Sequence, residues 1–234
     1  MEHKRLTLFC GHYGSGKTNI AVNYALHLAG EGKQVCIADL DIVNPYFRTA
    51  DSAAVLEKAG ITVISPQFAN SNVDLPALPA EAYRLVADKG SYAVMDIGGD
   101  DRGAYALGRY APAILEENNY CMAFVANPYR PLTRTPEEAF GIMKEIEAAC
   151  GIPFTHIVNN ANLGWETTAG DVLNAVPYME KLSRLSGLPV WLTTAEEKVA
   201  AELEGNVENL LPLRLQSHMF DLPVTAPVAR PIFG

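Results

Sequence analysis

Short apolar runs rich in β-branched residues alternate along this chain with longer stretches whose apolar positions recur every three to four residues. The short runs predict strands and the longer ones amphipathic helices. Strands are expected over Leu6–Gly11, Gln34–Asp41, Ile61–Ser65, Tyr92–Gly99, Asn119–Ala126, Phe154–Asn160 and Leu188–Thr193. Helices are expected over Lys17–Gly30, Thr49–Ala59, Ala80–Lys89, Gly103–Glu117, Pro136–Cys150 and Val176–Ser186, with a short last one over Glu196–Glu204. Gly60 and Gly151 act as helix stops. A loop rich in Asn, Pro and Ser spans Pro66–Pro79.

Val35-Cys36-Ile37-Ala38 and Tyr92-Ala93-Val94-Met95 are apolar on both parities, the mark of strands covered on both faces. Strands alternating with helices imply right-handed βαβ units. The expected fold class is therefore α/β: a three-layer sandwich with a mainly parallel sheet of about seven strands and helices on both faces. No linker or repeat divides it, so residues 1–234 read as one domain, with a core over about 5–195 and a proline-rich tail over about 211–234. The tail is expected to be extended, packed on the surface or onto a partner.

Composition agrees with a globular core: 49% of the 234 residues are hydrophobic and 19% charged. The formal net charge is −9 and no Lys/Arg run makes a basic patch, so nucleic acid and anionic lipid are disfavoured as partners. No apolar stretch approaches a membrane span, and Gly11 interrupts the first run too early for a signal peptide. A cytoplasmic location is expected. Cys10, Cys36, Cys121 and Cys150 are far apart, with no C-x-x-C, and read as free thiols. The five histidines lack metal-ligand spacing along the sequence.

Gly11-His12-Tyr13-Gly14-Ser15-Gly16-Lys17-Thr18 matches G-x-x-x-x-G-K-[ST] between a predicted strand and a predicted helix. Glycines at this point let backbone N–H groups turn inward around phosphates, and the helix N-terminus adds its positive end. Gly11, Gly14, Ser15, Gly16, Lys17, Thr18 and Asn19 are the candidate phosphate contacts. Lys17 is expected to reach the β- and γ-phosphates, and Thr18 to ligate Mg²⁺. Asp39 and Asp41 end the second strand two apart, so both point to one face, and they are expected beside the phosphate loop on a neighbouring strand. Carboxylates there can hold Mg²⁺ or orient an attacking water. The fourth strand ends in Asp96-Ile97-Gly98-Gly99: Asp96 would belong to the Mg²⁺ shell, and Gly98 and Gly99 would let the backbone approach the γ-phosphate.

In this order and spacing, the phosphate loop, Asp-Leu-Asp and Asp-x-Gly-Gly resemble the deviant-Walker family of P-loop ATPases. That family includes partitioning and division-site ATPases, the nitrogenase iron protein, metallocluster-insertion and arsenite-pump ATPases, and CobQ/CobB-type nucleotide-binding domains. The resemblance covers about residues 5 to 195. It implies a P-loop NTPase fold that binds ATP and Mg²⁺, a nucleotide-dependent homodimer and a switch acting on a protein partner. It makes Asp39 the aspartate assisting Mg²⁺, Asp41 the one near the attacking water, and Lys17, Asp39 and Asp41 the catalytic set. Asn159, with Asn160 as fallback, falls where the family sets Asn against adenine. No N-K-x-D guanine signature is present, which favours ATP over GTP.

The sequence departs from the family in three ways. The signature lysine that reaches across the dimer falls at His12. The cysteines form no cluster-holding pair, so no Fe–S cluster is expected. The end of the chain forms no basic amphipathic helix, which disfavours membrane docking. Asn44-Pro45-Tyr46-Phe47-Arg48, Arg102, Arg109 and Asn127-Pro128-Tyr129-Arg130-Pro131 are secondary candidates for partner or site contacts. The leading expectation is a slow ATPase working as a switch. The alternatives are a small-molecule synthetase or kinase of the dethiobiotin-synthetase type, with Gln67, Asn70, Asn72 and Asp74 as acceptor-pocket residues, and a nucleotide binder that does not hydrolyse.

Overall fold

In the computed structural model, the described residues are 3–40, 53–64, 83–99 and 101–215, without the side chains of 101 and 102. Eight strands form one sheet in the order β3-β2-β4-β1-β5-β6-β7-β8, and every neighbouring pair is parallel. They are β1 (Leu6–Cys10), β2 (Val35–Leu40), β3 (Thr62–Ile64), β4 (Tyr92–Ile97), β5 (Tyr120–Ala126), β6 (His156–Asn159), β7 (Val190–Glu196) and β8 (Leu210–Leu213). The helices among the described residues are α1 (Lys17–Gly30), α2 (Ala53–Lys58), α3 (Tyr83–Ala87), α4 (Asp101–Gly108), α5 (Ala111–Glu117), α6 (Pro136–Cys150), α7 (Ala169–Asn174), α8 (Val176–Ser186) and α9 (Glu197–Leu203).

Strand alternation divides the core into two layers. Leu6, Leu8 and Cys10 of β1, with Met95 and Ile97 of β4 and Phe124 of β5, pack against Leu107, Ile114, Met143 and Leu182 of α4, α5, α6 and α8. Phe9, Val35, Ile37, Val94 and Val125 point the other way, onto Ile20, Tyr24 and Leu28 of α1 and Leu56 of α2. The parallel α/β sandwich read from the alternation is what the chain forms. Helix α1 is buried along most of its length, as a helix centred on a sheet must be.

Helices α6 and α8 have the predicted ends for local reasons. Thr135 and Glu138 form a reciprocal capping box, Pro136 occupies the first turn, and Gly151 closes α6 at φ 72°. Gly187 closes α8 in the same way at φ 74°.

Several expectations are corrected. Among the described residues the sheet has eight strands, because Leu210–Leu213 adds an edge strand beside β7 with Leu211 and Leu213 buried. The tail expected to begin at Leu211 therefore starts inside the sheet, and residues 216–234 lie outside the described residues. Pro212 is tolerated in β8 because an edge strand leaves one row of N–H groups unneeded. The helix expected over Gly103–Glu117 is two helices. Pro112 lacks an N–H and its ring would clash with the carbonyl of Gly108, where α4 ends. Helix α7 was not expected, although Thr168-x-x-Asp171 makes a capping box at its start. Most importantly, β2 does not neighbour β1: β4 lies between them.

Candidate functional site

Gly11–Thr18 links the carboxyl end of β1 to α1, where ligands of open parallel sheets sit. Gly11, Gly14 and Gly16 have φ of 152°, 73° and 94°, conformations that an L side chain rarely adopts. Space excludes side chains as well. A Cβ on Gly11 would lie 2.6 Å from the carbonyl oxygen of Val125, and one on Gly16 would strike the Asn160 amide.

The loop is held from two sides. A Cβ on Gly99 would lie 2.6 Å from the Tyr13 nitrogen and 2.9 Å from the Gly11 oxygen, so the turn after β4 packs backbone to backbone on the loop. Gly103 makes a similar approach to Gly98, with a Cβ position 2.8 Å from Gly98 Cα. On the other side, Asn160 Nδ2 donates to the Ser15 carbonyl at 2.6 Å, while the Thr194 hydroxyl donates to Asn160 Oδ1 at 2.7 Å. Sequence reasoning missed Gly103 and Thr194. Gly103 stood four residues after Gly99 and could have been suspected, whereas Thr194 is joined to the loop only through the order of the sheet.

The Lys17 side chain is buried and curls over the loop, its Nζ 3.4 Å from the His12 carbonyl oxygen. Thr18 Oγ1 donates to Asp96 Oδ2 at 2.5 Å. Ser15 Oγ is buried and has no hydrogen-bond partner among the described residues. The first amides of α1 have no carbonyl one turn back to bond to, as at any helix N-terminus. Asn19 is half-buried in that first turn.

Asp39 and Asp96 are both fully buried and are register partners across β2 and β4. Because β4 intervenes, Asp39 faces Asp96 and reaches the loop through it. This corrects the expectation that the second strand borders the loop directly. Asp41 lies outside the described residues, as do Tyr46, Phe47, Arg48, the loop Pro66–Pro79 and the Arg102 side chain.

Asn159 ends β6, Asn160 follows it, and both are buried. Asn159 Oδ1 accepts from the Ala161 N–H at 3.2 Å. Arg109 is exposed in the turn just after α4. Arg130 comes close to the loop: its Nε is 3.5 Å from the position a Cβ on Gly14 would take. His12 is half-buried, with Nδ1 3.1 Å from the Tyr13 carbonyl oxygen. The four cysteines are free thiols; burial pushes Cys36 up to about 11 and Cys121 up to about 12, and raises Cys10 and Cys150.

The donors fit a phosphate chain with a hard cation. A glycine cradle, an orphaned serine hydroxyl, a buried ammonium and helix-end amides suit phosphate oxygens. The oxygen-only set of Thr18, Asp39 and Asp96 suits Mg²⁺.

No protein-family model and no curated protein matches the sequence. Solved structures do match in fold. FtsY from Thermotoga maritima has 18% identity and a TM-score of 0.52, covering 83% of this chain and 62% of its own. The signal recognition particle receptor FtsY from Elizabethkingia anophelis has 17% identity and a TM-score of 0.55, covering 94% and 65%. The 54 kDa signal recognition particle protein from Aeropyrum pernix, in complex with GDP, has 17% identity and a TM-score of 0.52, covering 81% and 41%. The chain thus spans about three-fifths of the two FtsY structures. These likenesses establish the P-loop NTPase fold. Among the described residues, no helix is long and apolar enough to cross a membrane.

Proposed function

We propose that the protein binds Mg²⁺ and a nucleoside triphosphate on Gly11–Thr18, hydrolyses it slowly, and works as a nucleotide-dependent switch on a protein partner. One observation carries this reading. The loop is wedged between Gly99 and Asn160 while buried Lys17 folds back to the His12 carbonyl and the Thr18 hydroxyl donates to Asp96. An anion-binding loop set before use loses less entropy on binding. In this reading Lys17 neutralises the phosphates, Thr18 and Asp96 hold Mg²⁺ with Asp39 behind them, and Asp41 orients the attacking water. Gly98 and Gly99 report the γ-phosphate.

ATP is the nucleotide we assign, because the guanine signature N-K-x-D is absent. GDP in the signal recognition particle structure belongs to that protein and makes GTP the competitor to test. Asn160 has its amide committed to the loop, so the base contact falls to Asn159. The deviant-Walker resemblance supports a nucleotide-dependent homodimer. With His12 in place of the signature lysine, Arg130 beside Gly14 is a substitute cation among the described residues. A cytoplasmic setting suits four free thiols.

The test is binding and turnover of ATP and GTP with Mg²⁺, over a range of protein concentrations, beside Lys17→Ala and Asp41→Asn. ATP binding lost in Lys17→Ala, with turnover that rises with concentration and is lost in Asp41→Asn, supports the reading. Preference for GTP would overturn the base assignment, and absence of binding to either would overturn the function.

A further inference from the structure

At the end of α1 opposite the loop, three potential metal ligands converge from two parts of the chain. His27 and Glu31 are four residues apart at the last turn of α1, so their side chains project to the same side. His3 comes from the segment preceding β1. Glu31 Oε2 lies 3.3 Å from His3 Nε2, and Glu31 Oε1 lies 3.4 Å from His27 Nε2. One ligand atom from each residue lies within 4.8 Å of the other two.

We propose that His3, His27 and Glu31 bind one divalent transition-metal ion of the Zn²⁺ type, with water completing a tetrahedron. Zn²⁺ with ligands at about 2.0–2.1 Å has ligand-to-ligand edges of about 3.3–3.4 Å, and each carboxylate oxygen of Glu31 already stands that far from one imidazole nitrogen, Oε2 from His3 and Oε1 from His27. Binding would turn the Glu31 carboxylate to offer one oxygen and draw the three ligand atoms, now within 4.8 Å of one another, to those edges. Two imidazoles and one carboxylate are a zinc donor set, and imidazole discriminates against Mg²⁺ and Ca²⁺.

The surroundings meet the other requirements of a metal site. His3 Nδ1 lies 2.9 Å from the Tyr24 hydroxyl, a hydrogen bond that orients the ring and directs Nε2 at Glu31. His27 and Glu31 also line a cavity of about 520 Å³ between α1, α9 and β8, which provides an entry path. A bound ion would pin the segment before β1 to the end of the helix that begins at the phosphate loop. At 1.5 Å per residue, Glu31 lies about 20 Å from Lys17 along α1, so the two sites do not share ligands.

The experiment is calorimetric titration of the full-length, chelator-treated protein with Zn²⁺, repeated with Mg²⁺, on wild type, His27→Ala, Glu31→Gln and Cys36→Ser. Melting curves in chelator establish that each variant folds, and the exposed Glu31 leaves Glu31→Gln as a second variant if His27→Ala does not. Co²⁺ absorption reads the geometry. The expected result is one Zn²⁺ per chain, no Mg²⁺ binding that depends on Glu31 or His27, tetrahedral Co²⁺ bands, and at least tenfold weaker Zn²⁺ binding in Glu31→Gln and His27→Ala with Cys36→Ser unchanged. Failure of the wild type to bind Zn²⁺, or binding that survives both ligand substitutions, or loss only in Cys36→Ser, would overturn the proposal.

Discussion

The side-chain amide of Asn160 donates to the carbonyl oxygen of Ser15 at 2.6 Å, joining the end of β6 to the phosphate loop. The Thr194 hydroxyl, donating to Asn160 Oδ1 at 2.7 Å, fixes which way that amide points. Replacing Asn160 by Ala removes a buried bond at each end. The expected cost is about 1–3 kcal/mol of folding stability, read from urea unfolding. Loosening the loop is expected to weaken triphosphate binding about tenfold. Thr194→Val, which keeps the shape but loses the donor, should give a smaller loss in both. Unchanged stability in Asn160→Ala would mean that the loop holds its form without this clamp.

Gly99 has a different reason to be glycine: its φ is unremarkable and space is the constraint. A methyl there would meet the Tyr13 nitrogen at 2.6 Å and the Gly11 oxygen at 2.9 Å, both backbone atoms that cannot swing aside. Gly99→Ala is expected to push the turn after β4 off the loop, costing about 1–3 kcal/mol of stability, and to weaken nucleotide binding. Gly141, inside α6 with nothing within 4 Å of its Cβ position, is the control. Gly141→Ala should stabilise the chain by about 0.5–1 kcal/mol through helix propensity. Equal effects at both positions would contradict the close-packing argument.

Arg5 anchors the start of β1 far from the loop. Its guanidinium pairs with Glu117 of α5 and donates to the carbonyls of Leu85, Asp88 and Ser91. Both side chains are more than nine-tenths buried. Glu117→Ala leaves that cation without its carboxylate, at an expected cost of about 3 kcal/mol in chemical denaturation. Arg5 also holds the Glu117 carboxyl below its ordinary range, with help from Lys89. That stabilisation is present above the ordinary glutamate pKa and is lost as pH falls through the lowered folded value.

The patterning of the sequence disclosed most of the sheet because β1, β2, β4 and β5 are covered on both faces and read as unbroken apolar runs. It located the loop for a similar reason: Gly11, Gly14 and Gly16 are needed by backbone geometry, which leaves a local trace. Strand order leaves no such trace. The expectation that Asp39 borders the loop failed because β4 intervenes, a long-range choice written nowhere near Asp39. Thr194 was invisible for the same reason, since its role exists only once β7 lies beside β6. β8 was missed because Pro212 and the short run around it resemble a tail, and only pairing with β7 makes them a strand. His3 and His27, 24 residues apart in the sequence, show no metal spacing until α1 brings His27 and Glu31 alongside the segment before β1.

His156 gives the chain an acid sensitivity distinct from that of its carboxylates. It begins β6 half-buried, with Nδ1 2.9 Å from Thr155 Oγ1 and 3.3 Å from Cys121 Sγ, and its ring 5.6 Å from that of Trp191. Burial lowers its pKa, and the positive charge of Lys4 lowers it further. The unfolded chain therefore takes up a proton near the ordinary histidine value of about 6.5, while the folded chain resists it. Stability is complete above pH 6.5 and falls as pH drops from there toward the lowered folded value, where the loss levels off. The Glu117 contribution begins to be lost only below the ordinary glutamate value of about 4.3, so the onset of the loss near pH 6.5 belongs to histidine. Melting temperatures between pH 7.5 and 5.5 should decline in the wild type, and the decline should be shallower in His156→Gln, which cannot take up the proton. His27, also lowered by burial, is expected to keep part of the slope in that variant. An identical slope in His156→Gln and wild type would show that His156 is as protonated in the folded chain as in the unfolded one.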